Sequence, residues 1–95
     1  MCIEIIWKRL IKFEGEIFYT VRCYPFSYRI ENNILIPIRN DKEINRKIPK
    51  SDIEKALSYW PIPGPGVISS EIQGSSYVYG LLSDNRILGS KNGKN

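Results

Sequence analysis

Phe26-Ser27-Tyr28-Arg29-Ile30-Glu31-Asn32-Asn33-Ile34-Leu35-Ile36-Pro37-Ile38-Arg39 carries the clearest structural signal in this chain. Phe26, Tyr28 and Ile30 alternate with polar residues, Ile34, Ile36 and Ile38 alternate with Leu35, Pro37 and Arg39, and the two asparagines between them predict an antiparallel hairpin. Parity gives its register. A two-residue Asn32-Asn33 turn would set Ile30 against Leu35 and Glu31 against Ile34, mixing the apolar sets. A loop of Glu31-Asn32-Asn33 sets Ile30 against Ile34, Tyr28 against Ile36 and Phe26 against Ile38. One residue of slip turns every side chain to the other face, so the longer loop is expected, with Asn33 in the left-handed region. Pro37 has no ladder N–H, which predicts a sheet edge at that strand.

Upstream, Ile17-Phe18-Tyr19-Thr20-Val21-Arg22 has high strand propensity and completes a three-stranded meander through a Cys23-Tyr24-Pro25 turn. Ile3, Ile6, Trp7 and Leu10 fall at helical spacing, although Ile3, Ile5 and Trp7 would also suit a strand; a helix over 3–13 ending at Gly15 is expected. Downstream, 39–50 reads as a polar loop or ragged strand end. Ser51-Asp52-Ile53-Glu54 has the pattern of a capping box, and Ile53, Ala56, Leu57 and Trp60 then carry a helix that Pro61 stops. Pro61 to Gly66 is a polyproline-like passage and a turn, Val67 to Ile72 a fourth strand, and Tyr77 to Ser83 a short helix capped by Ser75 or Ser76. The expected fold is α+β: a small antiparallel sheet covered on one face by two or three short helices. Residues 1–88 make one domain and 89–95 a flexible C-terminal tail.

Ninety-five residues have room for one core, and 42% hydrophobic with 25% charged residues describes a globular chain. Sixteen Ile against six Leu and one Ala fits A/T-rich codon usage, as in a low-GC bacterium or phage. No apolar run approaches the ~20 residues of a membrane span and the first residues lack a signal-peptide pattern, so no membrane and a cytoplasmic location are expected. Cys2 and Cys23 then stay thiols. The chain has no histidine. That closes Cys/His zinc sites, Ser-His-Asp and Cys-His catalysis, and imidazole acid/base chemistry. The carboxylates show no metal-ligand or glycosidase-like spacing, so neither an enzyme, a metal nor a cofactor is expected.

Three constellations remain. Arg39, Lys42, Arg46, Lys47 and Lys50 set five cations against Asp41 and Glu43, and with a net charge of +4 they point to an anionic partner, nucleic acid or an acidic protein. Lys8, Arg9, Lys12, Arg22 and Arg29 would extend the patch. Gly74, Ser75 and Ser76 offer a helix start to a phosphate-bearing ligand, without the lysine of a P-loop. Tyr24 and Tyr59 lie off the apolar stripes and suit a protein interface, and the edge at Pro37 would accept a partner strand or a second copy. The leading reading is a non-enzymatic binding module for nucleic acid through the basic loop. The alternative is a protein-binding or inhibitory module of the kind phages and mobile elements make.

Overall fold

Asn32 and Asn33 both take left-handed backbone angles, with φ of 52° and 64°. They make a two-residue turn whose twist matches that of the strands it joins. In this computed structural model, which describes residues 2–88, the chain order is α1 (Ile3–Lys12), β1 (Phe18–Tyr19), β2 (Pro25–Glu31), β3 (Ile34–Arg39), β4 (Lys42–Glu43), β5 (Ile48–Pro49), α2 (Lys50–Tyr59) and α3 (Ser75–Ser83). The tail expected over 89–95 lies outside the described residues. The strands form one antiparallel sheet in the order β1-β2-β3-β4, with β5 also pairing β3. The fold is α+β.

The hairpin register differs from the expected one: Ile30 faces Leu35, Glu31 faces Ile34 and Tyr28 faces Pro37. Parity misled because β3 is apolar on both faces. Leu35 is fully buried in the main core with Phe26 and Tyr28, whereas Ile36 is buried outside that cluster. Strands covered on both sides lose the alternation that specifies register. Nor is β3 an edge. Its Ile38 and Arg39 pair with β4, its Ile34 and Leu35 pair with β5, and Pro37 falls in the gap, accepting from the Ile44 N–H at 2.8 Å. A proline is tolerated where the ladder has already broken.

The strand expected over 17–22 shortens to Phe18–Tyr19. Thr20 ends it: its N–H donates to the Tyr24 carbonyl, its own carbonyl accepts from Cys23 N–H at 2.8 Å, and its Oγ1 accepts from Tyr24 N–H at 3.1 Å. α1 follows its expected stripe, burying Ile6, Trp7 and Leu10. The Tyr28 hydroxyl donates to the Leu10 carbonyl at 2.7 Å, satisfying a last-turn acceptor that the helix cannot. Burial holds that phenol ionisation far above its ordinary range.

No capping box forms. α2 starts at Lys50, Pro49 is its cap residue, and no side chain caps it. The sheet sets the start: Pro49 pairs with Ile34, and the Lys50 N–H donates to the Asn33 carbonyl at 2.8 Å. Ser51 is therefore an exposed residue inside the first turn. Ser51→Ala should change stability by less than about 0.5 kcal/mol, within roughly 3 °C in a thermal melt. A loss of several degrees would reinstate the cap.

No strand forms over Val67–Ile72 either. Pro65–Val67 is a 3-10 turn, and Ile68 and Ile72 enter the core from hydrogen-bonded turns, Ile72 N–H donating to the Ile68 carbonyl at 3.0 Å. The additional strands come instead from the segment read as a polar loop. α3 begins at Ser75, and Gly74, at φ 77°, holds the cap position rather than a serine. Val78, Leu81 and Leu82 are fully buried, as their spacing predicts.

Candidate functional site

Arg39 ends β3, and Asn40-Asp41, both with positive φ, turn the chain tightly so that Lys42 pairs back against it. The guanidinium of Arg39 lies over the Tyr24 ring, 4.9 Å from its centroid. These two residues form one wall of a cleft of about 380 Å³ that also contains Val21, Arg22, Ser76 and Tyr77. A second, open hollow of about 520 Å³ lies on the other side of Ser76 and Tyr77, lined by Ile44, Arg46, Gly74 and Ser75. A third depression of similar volume runs along Arg39, Lys42 and Ile44. Arg39 belongs to the cleft and the third depression, Ile44 to the third depression and the hollow, and Ser76 to the hollow and the cleft. The three are thus linked pairwise by shared lining residues, two of them at the start of α3.

The fold thus sets Arg46 with Gly74, Ser75 and Ser76 at one hollow, Arg39 with Tyr24 and Ser76 at the cleft, and Arg39 with Lys42 at the third depression, residues that the sequence left as separate candidates. It leaves others outside. Lys50 points to α1, where its ammonium pairs with Glu4 at 3.2 Å and sits 5.9 Å from the Trp7 ring. Lys47 is exposed but lines none of the three hollows. Arg29 is held by Glu31 at 2.9 Å and Glu43 at 2.6 Å. The hydrogen bond from Arg29 holds the Glu43 carboxyl below its ordinary range. Of the two acids that flank Lys42 in the chain, Glu43 is thereby already paired. Arg9 donates to the Ile87 carbonyl at 2.6 Å and is likewise engaged in structure.

Tyr59 is 43% exposed, and its hydroxyl donates to Glu71 at 2.9 Å, which pushes the pKa of the phenol above its ordinary value. Arg22 is the cation that sequence reasoning undervalued. Reading 17–22 as strand placed it in the sheet, whereas the Thr20 turn places it at the cleft. The signal was Cys23-Tyr24-Pro25, a turn that could have begun two residues earlier.

Among the described residues no cluster of His, Cys, Asp and Glu comes together as a metal site would require, and no buried side-chain N or O lacks a hydrogen-bond partner. Cys2 and Cys23 are exposed and unbridged. What these hollows offer is guanidinium and ammonium charge, hydroxyl donors and an aromatic residue. Comparison with family models, curated proteins and solved structures gave no match.

Proposed function

We propose that this chain is a non-enzymatic binding module for nucleic acid, engaging the backbone through Arg22, Arg39, Lys42 and Arg46. The observation that carries this reading is a set of cationic hollows that share Arg39, Ile44 and Ser76 as lining residues, with Glu43, which lines one of them, already paired to Arg29. A flexible polyanion needs a track of cations rather than one charged point. The exposed thiols of Cys2 and Cys23 accord with a reducing compartment such as the cytoplasm. No helix among the described residues is long and apolar enough to cross a membrane.

Fluorescence anisotropy with a labelled oligonucleotide tests the reading. If about four phosphates are engaged, affinity should fall on the order of a hundredfold between 50 and 200 mM salt. Alanine at both Lys42 and Arg46 should flatten the logarithmic salt slope by about 1.5, whereas Lys50→Ala should leave it unchanged because that ammonium serves Glu4. Absence of binding at 50 mM salt would refute the proposal, and so would a Lys50 variant as weak as the double one.

A second reading rests on Ile17, Tyr19 and Val21, each about half exposed, in and beside the edge strand β1. Such a row suits a protein partner. Binding that persists at high salt would favour it. Pairing of a second copy along that edge is opposed by Arg86, which already donates to the Ile17 carbonyl at 2.8 Å.

A further inference from the structure

We propose that the cleft beside Tyr24 is a nucleobase pocket, so that the strand this protein takes is single-stranded; the inference rests on the nucleic-acid reading above. Its volume of about 380 Å³ lies within the range of small-ligand sites, and its walls combine the surfaces that a base and its neighbouring phosphates need. Val21 and Tyr24, each about half exposed, present apolar and aromatic surface, and Tyr77 lines the cleft from the core side. Arg22 and Arg39 present charge, and Ser76 a hydroxyl.

The Thr20 turn fixes the backbone of Tyr24 through two hydrogen bonds, Thr20 N–H on the Tyr24 carbonyl at 3.0 Å and Tyr24 N–H on Thr20 Oγ1 at 3.1 Å, and Cys23 N–H on the Thr20 carbonyl at 2.8 Å closes the turn. Cys23 adopts φ 68° to close that turn, an angle an L-residue takes only when its surroundings impose it. Arg39 covers the ring at 4.9 Å, yet Tyr24 remains 48% exposed. An aromatic ring backed by a planar guanidinium is a stacking platform for any base, since every base has a π-face. Paired bases in a duplex present no such face. Extruding one requires unpairing and unstacking energy of a few kcal/mol, which a single strand does not need. The cleft also adjoins two cationic hollows, sharing Arg39 with the Lys42 depression and Ser76 with the Arg46 hollow. A base seated there has charge available to the phosphates on either side.

The test compares three labelled probes of equal length at 50 mM salt: a DNA single strand, the same strand with abasic sites through its centre, and a blunt duplex. The wild-type chain should bind the intact strand roughly tenfold more tightly than the abasic strand or the duplex. Tyr24→Leu should erase that preference with the salt slope unchanged, and Tyr24→Phe should retain it, with circular dichroism melts confirming that both fold. Lys42→Ala should weaken intact and abasic strands by the same factor. Salt-sensitive wild-type binding that ignores the missing bases would overturn the pocket and leave the cationic track standing. A preference that survives Tyr24→Leu would also overturn it. No wild-type binding to any probe would instead remove the underlying reading.

Discussion

Replacing Gly80 with alanine is expected to lower the melting temperature by roughly 10–20 °C, although alanine is the better helix former by about 1 kcal/mol. Gly80 sits in the middle of α3, where the helix packs against the backbone of β1. A Cβ built there would stand 2.5 Å from the Tyr19 carbonyl oxygen and 3.3 Å from Thr20 Cα. Both are backbone atoms, so relief requires moving β1 or α3 as a unit. Overpacking of that kind costs typically 1–3 kcal/mol and sometimes more, and here the upper end applies because neither neighbour is a flexible side chain. Gly66→Ala is the matched control: nothing lies within 4 Å of its added Cβ, and its melt should shift by no more than a few degrees. Thermal melts of the two variants side by side measure the difference. An unchanged or raised melting temperature for Gly80→Ala would mean that α3 does not rest on β1.

Arg86→Ala should destabilise the fold by about 2 kcal/mol, with a fall of roughly 10 °C. Its guanidinium lies 3.8 Å from the centroid of the Phe18 ring, donates to the Ile17 carbonyl at 2.8 Å and pairs with Asp84 at 2.9 Å. One side chain thus fastens the turn after α3 to β1. Charged hydrogen bonds and a stacked cation are worth more than an exposed ion pair, but the arginine side chain is 34% exposed, so solvent screening keeps the total modest. Arg86→Lys should restore less than half, because an ammonium cannot stack and hold two acceptors at once.

The same pair gives a pH signature. Hydrogen bonds from the Arg86 guanidinium, reinforced by its backbone N–H and opposed by partial burial, hold the Asp84 carboxyl below its ordinary range. The unfolded chain therefore takes up this proton at higher pH than the folded one does. The stabilisation is complete above the ordinary carboxylate range, near pH 4, and is lost as the pH falls through the lower folded value. The deficit of Arg86→Ala relative to wild type should accordingly shrink between pH 7 and pH 2.5. An equal deficit at both would show that the ion pair contributes nothing.

Much of the helical architecture was legible because helical spacing is a local property. Ile6, Trp7 and Leu10, Ile53 and Ala56, and Val78, Leu81 and Leu82 all bury as their positions imply. The α+β class followed from these stripes and the hairpin. Local pattern failed wherever a distant backbone partner intervened. The capping box at Ser51 lost to the pairing of Pro49 with Ile34, and the strand over Val67–Ile72 lost to turns that bury the same two isoleucines. At the candidate site the cations of the basic loop were visible in the sequence. Their sorting was not: Glu4 withdraws Lys50 and Glu43 withdraws Arg29, while the Thr20 turn brings in Arg22.

By itself the sequence determined that this chain carries a net charge of +4, has no histidine for imidazole chemistry, and builds helices with apolar faces beside a hairpin over 26–39. Only the tertiary structure decided the hairpin register, because β3 is apolar on both faces and alternation carries no preference there. Only it decided that Gly74, Ser75 and Ser76 adjoin Tyr24 and the basic loop. Those residues are far apart in the chain and meet only as lining of the same hollows, beside the close approach of Gly80 in α3 to the Tyr19 carbonyl.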